Sequence, residues 1–122
     1  MLKLKAKLFN KWAKKNSISN KILFKTIQDL SNILGTADLG AGLYKVRTAK
    51  SGQGKSGSYR TIVVYKESDI AIFIYGFSKK EKDNLSSDEL KYFKKLAEDL
   101  LSIDRQKYKK MVQIGDFINI GK

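Results

Sequence analysis

The chain has 122 residues, enough for one domain with a core of its own, because a chain of this size buries roughly two thirds of its unfolded surface. The 25 Lys and Arg set against 12 Asp and Glu leave a net charge of +13, far beyond what solubility asks for, and point to a polyanionic partner. There is no cysteine and no histidine, which excludes thiol nucleophiles, imidazole bases and the usual zinc ligands; chemistry falls to Lys, Arg, Tyr, Ser or carboxylates.

In chain order, Leu2 and Leu4 alternate with lysines and predict a short edge strand. Leu8, Phe9 and Trp12 then fall at helical spacing, and the stretch Asn16 to Asn20 breaks that helix. A second helix begins near Ser19, with Leu23, Ile27, Leu30 and Leu34 on one face and Gly35 placed to end it. From Gly40 the period becomes two. "LYKVRT" (43–48) sets Tyr44 and Val46 on one face and Lys45 and Arg47 on the other, as in a half-buried strand. "YRTIVVYK" (59–66) and "IAIFIYGF" (70–77) are rich in β-branched and aromatic residues, and the second, apolar on both faces, reads as a central strand. Glu67 to Asp69 is short enough for a tight hairpin. A third helix carries a strong start signal: Ser86 as N-cap, Glu89 as its capping-box partner, and Leu85 with Leu90 as a staple. Its buried stripe is Leu90, Phe93, Ala97, Leu100 and Leu101. The tail from 104 holds a helical turn and a short strand over Asp116 to Ile120. No apolar run approaches the ~20 residues of a membrane span, and the basic start lacks the apolar stretch of a secretory leader, so the expectation is a cytoplasmic protein with no membrane partner.

The insert "AKSGQGKSGSYRT" (49–61) contains Gly-Lys-Ser, but Ala49 stands where a phosphate-binding loop requires glycine, and a strand rather than a helix follows. A nucleotide loop is therefore rejected. About ten residues between two strands is more than a hairpin needs, which favours a functional loop carrying Lys50 and Lys55. Two cations on a strand, such as Lys45 and Arg47, are by themselves an ordinary exposed face. Arg60 is different: it shares a strand face with Ile62 and Val64, at the margin of an apolar surface where a cation needs a partner or a task. Antiparallel pairing brings the start of 59–66 beside both the end of 43–48 and the end of 70–77, where "FSKKEK" (77–82) begins. Three cationic segments thus converge at one end of the sheet. Cations for phosphates interleaved with Tyr44, Tyr59, Tyr75 and Phe77 suit RNA, although most of these rings are also core candidates, and for Tyr75 the core is the favoured place.

The residues "LYKVRT…GQGKSGSYRTIVVYK…IYGFSKKEKDNLSSDEL" resemble the RelE-like toxins of bacterial toxin–antitoxin modules, and the glycine-rich insert resembles the HigB-type branch of the RelE/ParE superfamily. The resemblance implies an α+β, RelE-like small domain spanning 1–122: two N-terminal helices packed on an antiparallel sheet of three to five strands, with a C-terminal helix. It also implies a ribosome-dependent mRNA endoribonuclease, without metal or cofactor, neutralised by a cognate antitoxin of the helix-turn-helix DNA-binding kind. The family pattern assigns phosphate and transition-state contacts to Lys45, Arg47 and Arg60, and further cationic contacts to Lys79 and Lys80. Lys55 joins the catalytic candidates from the insert; Lys50, Ser56, Tyr59, Phe77 and Lys82 are the RNA-binding candidates. The catalytic tyrosine of the RelE ribonuclease has no counterpart, its place falling near Asn84-Leu85-Ser86. Two other readings stay open: a non-catalytic gyrase-poisoning toxin of the ParE kind, and a basic RNA- or ribosome-binding module.

Overall fold

The computed structural model describes residues 1–32, 36–48 and 59–121. Among them the elements run β1 (Leu2–Ala6), α1 (Lys7–Lys15), α2 (Asn20–Asn32), β2 (Thr36–Gly40), β3 (Leu43–Thr48), β4 (Tyr59–Lys66), β5 (Ile70–Ser78), α3 (Ser87–Ser102), α4 (Lys107–Gln113) and β6 (Phe117–Asn119). The strands form one sheet in the order β2-β3-β4-β5-β1-β6.

The α+β class expected from sequence holds, with two corrections. The sheet has six strands rather than three to five, and one pairing is parallel: β1 runs alongside β5 from Leu2↔Ile70 to Lys5↔Phe73. Nor is β1 an edge strand, because β6 pairs antiparallel on its other side. A parallel pair needs a long crossover, here everything from α1 to β4, which no local period reports. The alternating lysines are compatible with the inner position because they lie along the sheet: Lys5 is 7% exposed with Nζ donating to Asn20 Oδ1 at 3.0 Å, and the Lys3 ammonium sits 5.2 Å from the Phe24 ring centre. Burial and the charge of Lys14 push the Lys5 pKa below its ordinary value. The unforeseen strand, β2, is "TADLG", poor in strand-forming residues, and is held mainly by its hairpin to β3.

Each sheet face is covered by its own helices. Phe9, Ala13, Leu23 and Ile27 from α1 and α2 pack with Val46, Val63 and Phe73; Phe93, Ala97 and Leu100 of α3 and Tyr108 of α4 pack with Leu4, Leu43, Ile62 and Ile72 on the opposite face. β4 and β5 are therefore apolar on both sides, as read for 70–77.

The pairing of β4 with β5 contains a bulge: Ile62 faces Tyr75 and Val63 faces Phe73, leaving Ile74 extra. Ile70, Ile72 and Ile74 belong to the α3-side core, and beyond the bulge Tyr75 and Phe77 pack there too. Gly76 is turned the other way, under α1, where a Cβ would stand 2.3 Å from Trp12 Cζ3.

The start of α3 follows the sequence signal. Ser86 Oγ accepts from the Glu89 N–H at 3.1 Å, and Glu89 Oε1 accepts from the Ser86 N–H at 2.9 Å. After α3, Arg105 donates Nε and Nη2 to the two carboxylate oxygens of Asp69, both at 2.8 Å, clamping the β4–β5 turn to the C-terminal segment. Tyr108 is wholly buried, donates to the Leu100 carbonyl at 2.6 Å, and has its pKa pushed up to about 12 by burial.

Candidate nucleic-acid interface

Val46 and Thr48 of β3 face α2, where the Thr48 hydroxyl lies 2.9 Å from that of Thr61 and 3.4 Å from that of Thr26. Strand alternation therefore sends Lys45 and Arg47 to the α3 side. In register, Arg47 lies opposite Arg60, and Arg60 opposite Phe77; one rung inward, Lys45 lies opposite Ile62, and Ile62 opposite Tyr75. The three cations read from sequence thus share one face at one end of the sheet. Arg47 is exposed, whereas Lys45 and Arg60 are half-buried. Burial, with the neighbouring charge of Arg47 second, lowers the Arg60 pKa from its ordinary value. A guanidinium remains charged under such pressure where an ammonium would more readily give up its proton.

The segment between β5 and α3 crosses this end of the sheet and adds further groups. Lys82 Nζ donates to Glu89 Oε1 and Oε2 at 2.7 and 2.6 Å and to the Tyr75 hydroxyl at 3.3 Å. It also lies 5.4 Å from the Tyr75 ring centre and 5.8 Å from that of Phe77. The Tyr75 hydroxyl donates to Glu89 Oε2 at 3.4 Å. The carboxylate of Glu89 raises the Lys82 pKa, and Lys82 in turn lowers that of Glu89, so this cation is held charged and partly neutralised. Asn84 supplies a second restraint, its Oδ1 accepting from Lys45 Nζ at 3.1 Å.

The remaining sequence-read residues separate into three groups. Lys79 and Lys80 are exposed in the turn directly after β5, next to the row but outside its face. Tyr59 is on the opposite side of the sheet from Arg60: its hydroxyl donates to Asn16 Oδ1 at 3.1 Å and its ring stands edge-on to Trp12 at 5.2 Å. Phe77 faces the cationic side but is 3% exposed, a core ring beneath Lys82 with no face open for a base. Lys50, Lys55 and Ser56, with the whole insert 49–58, lie outside the described residues, as do Leu34 and Gly35.

Sequence reading did not bring Asn84 and Glu89 to the cations, and for Tyr75 it favoured the core. Glu89 was visible only as a capping residue, and Tyr75 reaches the cationic face only through the bulge at Ile74. Among the described residues no group of three or more His, Cys, Asp or Glu side chains comes together to hold a metal. The arrangement is a cationic strip on a rigid sheet, with one hydroxyl and one carboxylate at its edge: suited to gripping a phosphodiester backbone and stabilising negative charge that develops on it.

A family model described as RelE toxin of the RelE / RelB toxin-antitoxin system matches residues 1–120. No curated protein matches the chain.

Proposed function

The chain belongs to the RelE toxin family, the toxin side of a toxin–antitoxin system with a cognate antitoxin as partner, and from that premise we propose that it is a ribosome-dependent mRNA endoribonuclease. The observation that carries this reading is the row of Lys45, Arg47 and Arg60 on one sheet face, extended by Lys82. RNA contains its own nucleophile. The 2′-hydroxyl attacks the adjacent phosphorus in line, the P–O5′ bond breaks, and the products are a 2′,3′-cyclic phosphate and a 5′-hydroxyl. An enzyme needs to align the strand, take a proton from the 2′-oxygen, return one to the 5′-oxygen and stabilise the extra charge on phosphate. No metal is required for any of these steps.

In this reading Arg60 meets the transition-state charge, and Lys45, restrained by Asn84, positions the strand with Arg47. Lys79 and Lys80, and Lys55 of the insert, supply phosphate contact or proton transfer. Lys82, kept charged by Glu89, binds phosphate and does not serve as the base. The kinship of the insert to the HigB-type branch belongs to the same proposal.

Expression of the chain followed by mapping of mRNA 5′ ends tests the reading: cuts are expected at the codon in the ribosomal A site. Arg60→Ala should slow cutting by about 10²–10³-fold, the cost of removing one preorganised charge-stabilising group. DNA damage without truncated transcripts would identify a gyrase poison instead, and RNA binding without any cleaved product a plain binding module.

A further inference from the structure

Tyr75 stands on the cationic face in the rung of Lys45 and Ile62, one rung inward from Arg47, Arg60 and Phe77. Two strand spacings, ~10 Å, separate it from Lys45. Its ring packs against those of Phe77 and Phe93, with centroids 6.0 and 5.0 Å away, and this packing fixes where the hydroxyl sits. The hydroxyl donates to Glu89 Oε2 at 3.4 Å and accepts from Lys82 Nζ at 3.3 Å. A phenol oxygen has one proton to give and two lone pairs to receive, so one acceptor position is left over among the described contacts. Glu89 is in the opposite condition. Its carboxylate accepts from the Ser86 N–H, from Tyr75 and, through both oxygens, from Lys82, which fills its acceptor positions.

We infer that Tyr75 is a catalytic residue of the RNA cleavage proposed above, relaying the proton of the attacking 2′-hydroxyl to Glu89. The other groups of this face select it. Arg47 and Arg60 stay charged, Lys82 is held charged by Glu89, and Lys45 is an ammonium donating to Asn84; each must lose a proton before it can take one. The Tyr75–Glu89 pair accepts a proton as it stands. As the 2′-oxygen bonds to phosphorus, its proton passes to the Tyr75 oxygen and the proton already directed at Glu89 moves onto that carboxylate. The P–O5′ bond breaks, and the 5′-oxygen takes a proton from the ammonium of Lys79 or Lys80. Glu89 then releases its proton to solvent and the lysine regains one, so the enzyme returns to its starting state.

The inference rests on the endoribonuclease reading, and the test separates the two. The purified full chain is added to ribosomes programmed with mRNA, and single-turnover cleavage is followed for wild type, Tyr75→Phe, Glu89→Gln and the double variant. Tyr75→Phe keeps the ring in its packing and should cut about 10²-fold more slowly while binding a single-stranded RNA oligonucleotide as wild type does. Glu89→Gln should bind that oligonucleotide more tightly at low salt and still cut more slowly, a combination that structural damage does not produce. The double variant should be no slower than the slower single variant, because both act in one relay. The wild-type rate should be flat from about pH 6 to about pH 8, since Lys82 holds the Glu89 pKa below the ordinary carboxylate value; a lysine base would make it climb about tenfold per pH unit. Wild-type cutting with undiminished cutting by Tyr75→Phe overturns the relay and leaves the endoribonuclease standing, as does a double-variant loss equal to the product of the single losses or a tenfold climb per pH unit. No cutting by wild type overturns both.

Discussion

At the scale of single residues, the site depends on a cation that is restrained rather than free. Glu89 serves two purposes with one carboxylate, closing the capping box of α3 and holding Lys82 at 2.6 Å. Glutamine at this position can still accept from the Ser86 N–H, so Glu89→Gln should leave α3 in place while releasing Lys82. Binding to a single-stranded RNA oligonucleotide should then tighten at low salt, and the plot of log affinity against log salt should steepen by up to about 0.7, because the Lys82 phosphate contact is no longer offset by the Glu89 carboxylate. An unchanged slope would mean that Lys82 does not reach RNA. The shared strand face of Lys45 and Arg47 was legible from alternation, and the convergence with Arg60 at one end of the sheet from hairpin order; that Arg60 lies on the same face follows only from the register of β3 and β4. The partners that restrain these cations were not legible, since Asn84 lies 39 residues from Lys45 and meets it only after β3 and the segment before α3 are assembled.

At the scale of elements, local signals were most reliable where the determinant is itself local. The N-cap of α3 is such a case, and Ser86→Ala should cost about 1 kcal/mol in chemical denaturation, loosening the segment that carries Lys82 and Asn84. Gly76 is the opposite case. Its sequence context reads as one more residue of an apolar strand, yet the bulge at Ile74 turns it under Trp12, and Gly76→Ala should force the indole to move and lower stability more than a Gly→Ala change in a strand otherwise would. Thermal melts of the two variants side by side check both statements. Leu8 marks where periodicity misleads: helical spacing placed it with Phe9 and Trp12, but Phe9 is buried and Leu8 is exposed. A spacing argument reports which residues share an arc of the helix, and the width of the covered arc is set by the neighbours.

At the scale of the whole molecule, the bidentate Arg105–Asp69 pair ties the C-terminal segment to the β4–β5 turn and gives stability a pH dependence. The hydrogen bonds from Arg105 are the largest cause of an Asp69 pKa below the ordinary carboxylate value. The stabilisation is therefore present above the unfolded-state pKa and is lost as pH falls through the lower folded-state value. Asp69→Asn should flatten the loss of stability on that acid side, measured as denaturation midpoints from pH 5 downwards, about one unit above the reference carboxylate pKa. Charge, the absence of histidine and cysteine, the strand alternation and the capping box are properties of composition or of near neighbours in the chain, so the sequence alone determined the α+β class, the shared face of Lys45 and Arg47 and the start of α3. The parallel β1–β5 pair and the bulge that brings Tyr75 beside Lys82 depend on contacts between residues far apart in the chain. Register and crossover are settled by how two packed faces close around one sheet, and only the tertiary structure decided them.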